Sequence, residues 1–148
     1  MVLNPPQLGR AMMRHIAGLE ADARWRTEWQ PKPASTIRYW FDCWPPPWMG
    51  LTVGEELAFG LHWQEERAQQ VLAQWELSHL KRTQPTLALD HFDAVCLMLA
   101  HAELANCDLL LMEQPDAGLS IDQWQTFITM LKQWLARSQA IALITGHL

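Results

Sequence analysis

A short apolar run in this 148-residue chain, Leu109-Leu110-Leu111-Met112, is preceded by Asp108 and closed by Glu113, Gln114 and Pro115. A short apolar run bounded by polar residues predicts a strand buried on both faces. Ala117-Gly118-Leu119 then turns the chain. Ser120, with Gln123 three places on, forms a capping box and predicts a helix from about Ile121. Ile121, Trp124, Ile128, Leu131 and Leu135 repeat at helical spacing and are its expected inward seam. A second apolar run, Ala140 to Thr145, follows. Strand, helix and strand at this spacing predict a βαβ unit with parallel strands. In such sheets ligand chemistry gathers at the carboxyl ends of the strands, so a site is expected at residues 113–116 and 145–147.

Upstream, Leu8, Ala11, Met12, Ile16 and Leu19 share one face of a predicted helix, with Gly18 near its end. Residues 21–36 are polar and carry Pro31 and Pro33, which predicts a loop. Ile37 to Phe41 is a candidate strand. Trp44-Pro45-Pro46-Pro47-Trp48 lacks three consecutive N–H donors and predicts a polyproline-like loop. Thr52 to Glu56 opens a helix with acidic residues in its first turn, where the helix dipole favours them. Ala68, Val71, Leu72 and Trp75 mark a helix running to about Leu80, and Pro85 ends the connection after it. Asp90 and Asp93 cap a helix reaching about Ala105. Its run from Ala94 to Ala100 is apolar all round, so that helix is expected to be buried.

Composition narrows the function classes. The chain carries 11 Lys and Arg against 16 Asp and Glu, a net charge of −5, with no basic stripe; this excludes an ordinary nucleic-acid binder. No apolar stretch reaches the ~18 residues of a membrane span, and no signal-peptide pattern is present. Cys43, Cys96 and Cys107 are odd in number and form no CxxC pair, so they read as reduced residues of a cytoplasmic protein. No histidine pairs with a cysteine or a second histidine at ligand spacing. His91 and Asp93 lie together at a helix start, yet no metal site is expected. Glu55-Glu56 and Glu65-Glu66 read as solvated helix faces. Nine tryptophans against one tyrosine is unusual, and so many large amphipathic rings favour a contact surface.

The order of these features resembles the nucleotide-binding domain of ATP-binding-cassette (ABC) proteins, most like the ATPase subunits of cobalt and energy-coupling-factor transporters. Leu51 to Leu61 looks like the family's TVEEEVAFGL segment, Leu109 to Leu119 like LLLLDEPTAGL, and Ile144-Thr145-Gly146-His147 like VTHD. Ile37 to Trp44 matches the strand leading into the glutamine loop. The resemblance implies an α/β, truncated P-loop NTPase fold: a parallel sheet core at about 1–50 and 91–148, with a helical subdomain at about 51–90, in one domain spanning 1–148. A full domain of this family is longer at both ends.

The resemblance also places the family's site residues on this chain. The phosphate loop GPNGSGKST falls on Leu3 to Ala11. A P-loop needs successive backbone N–H groups, a lysine and a hydroxyl on Mg²⁺. Here Pro5 and Pro6 have no N–H, Gly9 stands at the lysine, and Arg10 and Ala11 replace the hydroxyls. The glutamine-loop residue becomes Asp42, and the LSGGQ signature falls on Leu89 to Asp93. Asp90 and Asp93 would repel an approaching phosphate by about 4 kcal/mol at ~4 Å and an effective dielectric near 20. The Walker B aspartate becomes Glu113, which can still reach a metal. The catalytic glutamate becomes Gln114, an amide that cannot act as a general base. The D-loop aspartate becomes Ser120, and the switch histidine becomes Gly146, with His147 one place late.

The expected function is therefore non-catalytic: a pseudo-ATPase acting as a regulatory, assembly or scaffold subunit, with no cofactor. The alternative is a residual nucleotide-binding subunit that pairs with an active ABC ATPase. Either reading implies a protein partner, an ABC-type ATPase or a membrane subunit, and a homodimer is compatible with both. Trp40, Trp44 and Trp48 are the expected partner-binding residues, since this region faces the partner subunit in the family; the alternative for this loop is a lid over the core. The expected location is cytoplasmic, peripheral at the inner face of the membrane through that partner.

Overall fold

The computed structural model describes residues 6–19, 36–40, 45 and 47–145, with the backbone alone for residues 6–9, 39 and 40. Asp42, Cys43, Trp44, Gly146 and His147 lie outside the described residues. Three strands, β1 (Ile37–Trp40), β2 (Leu109–Glu113) and β3 (Ile141–Thr145), form a parallel sheet in the order β1-β2-β3. Ile37 pairs with Leu109 and Leu109 with Ile141; at the far end Glu113 pairs with Thr145.

The alternation of β2 divides the core. Leu110 and Met112 face the larger cluster, with α4 (His91–Leu104) and α5 (Ile121–Arg137). Leu109 and Leu111 face the other side, where Met13 of α1 (Pro6–Ile16) is fully buried against them. Every residue of β2 is buried, as an apolar run covered on both faces should be.

Local signals account for several helix ends. Pro6 opens α1, a position where its missing N–H costs nothing. The helix closes in a Schellman motif: Leu19 N–H donates to Arg14 O, Gly18 N–H donates to His15 O, and Gly18 adopts φ +74°. The Ser120–Gln123 capping box forms at the start of α5, and Asp90 caps α4 by accepting from Asp93 N–H. Thr52 and Glu55 form a second capping box at α2 (Val53–Ala58).

The structure corrects several sequence expectations. In α1, Met13 lies deepest, while Leu19 falls beyond the helix and is exposed. The helix α3 (Glu65–Gln74) stops short of Leu80: Glu76 takes φ +58°, and Leu77 N–H donates to Leu72 O. This is another Schellman ending, with Glu where glycine is usual, held because Leu77 is buried in the main core. Pro85 does more than end a connection, since it bridges to Thr52 and leads into a short 3₁₀ turn, Thr86–Ala88. In α5, Phe127, Met130, Leu131 and Trp134 are the buried set. Trp124, Ile128 and Leu135 only flank it, and Ile121 projects into solvent from the first turn. The two stripes share Leu131; packing against Trp75, whose ring centroid lies 6.1 Å from that of Trp134 in an edge-on contact, selects the second.

Candidate functional site at the carboxyl end of the sheet

Glu113 is two residues past Leu111, so alternation places it on the same face of β2, under α1. Arg10 lies one turn before Met13, which anchors that helix on Leu109 and Leu111. The result is a contact between residues that sequence reasoning had treated separately. Arg10 Nε donates to Glu113 Oε2 at 2.6 Å. The Glu113 side chain is 4 % exposed and that of Arg10 44 % exposed, so the carboxylate is inside and the guanidinium closes its mouth. Charge-assisted bonds of this length are among the stronger ones in proteins.

Gln114 follows in the left-handed region at φ +50°, a conformation costing a non-glycine residue about 1–3 kcal/mol. Its N–H donates to Thr145 O of β3 at 2.5 Å, and its carbonyl accepts from Ala117 N–H, which closes the turn through Pro115 and Asp116. Asp116 Oδ1 is buried in this turn with no hydrogen-bond partner among the described residues. Gly118 takes φ +84°, which strains any residue with a side chain, and a Cβ there would lie 2.9 Å from His91 Nε2 and displace the imidazole. That His91 nitrogen is 2.9 Å from Ala117 O, a group that can only accept, so it carries the proton. The start of α4 is thereby clamped to the turn after β2.

The structure does not bring His91 and Asp93 together as a pair. Asp93 instead meets His79, Oδ2 to Nε2 at 2.7 Å, and this bond raises the His79 pKa above its ordinary value. Asp90 is occupied as a helix cap. Ser120, at the D-loop position, is likewise a cap. Gly9 lies within α1, and Trp40 ends β1. Among the described residues, no group of three or more His, Cys, Asp or Glu side chains is arranged to hold a metal ion.

One further expectation changes. Glu56 is no solvated residue: it is 3 % exposed, and its Oε2 accepts from Met49 N–H at 2.8 Å and Gly50 N–H at 2.7 Å. It therefore fixes the exit of the Trp/Pro loop. The helical pattern alone did hold a signal for this, since Glu56 is next to the buried Leu57 and three residues from the buried Val53. Trp48 is half-buried against the main core, which is compatible with either role of the loop, while Met49, Leu51 and Leu87 are exposed. Thr86 N–H donates to Leu51 O, so the segments bearing Leu51 and Leu87 run side by side.

A cleft of about 450 Å³ lies at the opposite end of the sheet, lined by Arg67, Gln74, Glu103, Asn106, Asp108 and Arg137, among others. Several of its polar groups are already engaged with one another. Glu103 accepts from Trp75 and Arg137, and Arg67 donates to Asn106. No helix of the described residues is long and apolar enough to cross a membrane.

No family model and no curated protein matches the sequence. Solved structures do match the fold. A metal-chelate type ABC transporter in an inward-facing conformation aligns over 99 % of this chain and 60 % of its own, with a TM-score of 0.70 and 17 % identity. MJ1267, an ATP-binding cassette of an ABC transporter, aligns over 76 % of this chain and 51 % of its own, at 0.60 and 21 %. The protein cbiO1 from Clostridium perfringens, part of the ABC transporter complex cbiONQ, aligns over 68 % and 42 %, at 0.59 and 19 %. The chain thus spans about half the length of these structures. What the likeness establishes is the architecture: an α/β, ABC-ATPase-like form of the P-loop NTPase fold, built on a parallel sheet.

Proposed function

We propose that this protein is a non-catalytic ABC-ATPase-like subunit that works through contacts with another protein. The observation that carries this reading is the Arg10–Glu113 ion pair. In nucleotide hydrolases of this fold a carboxylate at the end of the corresponding strand serves a metal ion, and the next residue handles the attacking water. Here the carboxylate is already neutralised from within the chain, and the next residue is an amide without a basic lone pair. The residues present do not fit Mg²⁺–nucleotide. Calorimetric titration of the protein with Mg²⁺–ATP tests this: no saturable binding is expected, and a dissociation constant below about 100 μM, roughly −5.5 kcal/mol, would refute it. Nucleotide binding that appears only when a competent partner ATPase is added would favour the half-site alternative.

The partner contact is assigned to the Trp/Pro segment and its continuation, with Trp40, Trp44 and Trp48 as ring-bearing positions. Leu51 and Leu87, 80 % and 88 % exposed, extend it as an apolar surface on adjoining segments. Three prolines limit the entropy such a loop loses on docking. Trp48 also supports the core, so Leu51→Glu and Leu87→Glu separate docking from folding better than tryptophan removal does. Both substitutions should abolish capture of the native partner at unchanged melting temperature. Through that partner the protein would sit peripherally at a membrane.

A further inference from the structure

Hydrogen bonding between β3 and β2 uses every second residue of β3. Ile141 N–H donates to Asp108 O, Thr145 O accepts from Gln114 N–H, and Leu143 lies between them in the same parallel register. In such a ladder one residue directs both its backbone groups to one neighbouring strand, and the next residue directs its own to the other side. The N–H and C=O groups of Ala142 and Ile144 therefore point away from β2, along the outer edge of the sheet. Among the described residues no strand lies beyond β3, and nothing is bonded to these groups. The faces of β3 are covered: Ala142 and Ile144 pack on the larger core cluster, and Leu143 packs on the smaller one that holds Met13. The edge is open. Ile141 is 49 % exposed, and Ala142, Leu143 and Ile144 are each only half-buried.

Open strand edges usually carry a charge, a proline or a bulge that discourages pairing with another chain. From Ser138 to Thr145 the chain has no charged residue and no proline, and the register with β2 runs unbroken over all of β3. We propose that β3 is the contact with a second copy of this chain, paired antiparallel about a two-fold axis at Leu143, so that two three-stranded sheets become one. The symmetry follows from the register. Ala142 and Ile144 flank Leu143, so Ala142 meets the partner's Ile144, and Ile144 the partner's Ala142, in hydrogen-bonded pairs. Every outward group of both residues is then satisfied in each chain. Leu143 faces the partner's Leu143 in the closer, non-hydrogen-bonded pair, and Ile141 faces the partner's Thr145, with no like charges opposed. The other edge, β1, carries Arg38, which disfavours the same pairing there and closes the assembly at two chains. This contact goes beyond the reading above and uses neither the Arg10–Glu113 pair nor the surface around Leu51 and Leu87.

Sedimentation equilibrium of the full chain over about 1–500 μM tests the proposal: a reversible dimer with a dissociation constant below about 100 μM is expected, and a chain that stays monomeric overturns it. Ala142→Pro removes an outward N–H at a place where an edge strand tolerates proline, and should weaken the dimer at least about tenfold. Undiminished dimerisation by the folded variant overturns the proposal. If Ala142→Pro fails to fold, Ile141→Lys replaces it, because Ile141 is exposed and belongs to neither core cluster; the same weakening supports and the same persistence overturns. Oxidative crosslinking in a Cys43→Ser background reads the register. Leu143→Cys should give an intermolecular disulfide, since the Cα atoms of a non-hydrogen-bonded pair stand about 4.5 Å apart, and Ile141→Cys should not. Crosslinking by Ile141→Cys, or none by a folded Leu143→Cys, overturns the two-fold at Leu143. Leu51→Glu with Leu87→Glu should leave the dimer intact; a dimer lost in that variant belongs to the other surface and overturns the assignment to β3.

Discussion

Replacing Glu56 by alanine tests the most consequential contact outside the strand end. Its carboxylate is the acceptor for two N–H groups, on Met49 and Gly50, and the Gly50 bond is wholly buried. Leaving a buried donor unsatisfied costs about 1–3 kcal/mol, and bonds to a charged acceptor lie toward the upper part of that range. Met49 is exposed, so water recovers part of its bond while Gly50 recovers none. The expected loss for Glu56→Ala is therefore about 2–4 kcal/mol, a large share of the roughly 5–15 kcal/mol that stabilises a domain of this kind. At about 2–4 °C per kcal/mol, the melting temperature should fall by about 5–15 °C. Glu56→Gln keeps an oxygen at the same place without the charge and should lose only about half as much. Glu55→Ala is the control, since Glu55 also accepts two N–H groups, from Leu51 and Thr52, but at the surface. It should lose only about 1 kcal/mol. Urea unfolding followed by tryptophan fluorescence reads all three. A loss below about 0.5 kcal/mol for Glu56→Ala, or one no larger than that of Glu55→Ala, would show that the loop exit is held by something else.

Burial pushes the Cys96 thiol up to about 12 and the Cys107 thiol up to about 11, so at pH 8 only about one in 10⁴ and one in 10³ respectively is thiolate. Neither should react with a disulfide reagent until denaturant is added; rapid labelling of either in the native protein would contradict its burial. The Asp93 hydrogen bond raises the His79 pKa above its unfolded value near 6.5, so the stabilisation from this pair is complete below that value and fades as pH rises through the folded pKa. Denaturation at a series of pH values should show this small slope in the wild type and not in His79→Gln. Gln114→Glu should yield no ATPase activity in a phosphate-release assay, because a restored base would face a carboxylate already held by Arg10. Measurable turnover in that single variant would mean that a phosphate site persists.

The sequence by itself determined the elements whose signals are local. The apolar run Leu109–Met112, the Ser120–Gln123 capping box and the run ending at Thr145 are each set by neighbouring residues, and together they produce β2, α5 and β3 in parallel. Asp90 likewise specified the start of α4, because an N-cap needs only the three residues after it. The Gly18 ending of α1 was legible for the same reason. Three features waited for the tertiary structure. The end of α3 uses Glu76 at a position where glycine is the usual marker, and burial of Leu77 compensates for the strain. Glu56 looked like a first-turn acid on a solvated face until the loop exit folded back over it. Arg10 and Glu113 carried separate meanings in the sequence, and only the packing of Met13 on Leu109 and Leu111 brought them to 2.6 Å. Capping and alternation act over a few residues and can be read along a chain, whereas the partner of a buried charge is set by which helix covers which face of the sheet.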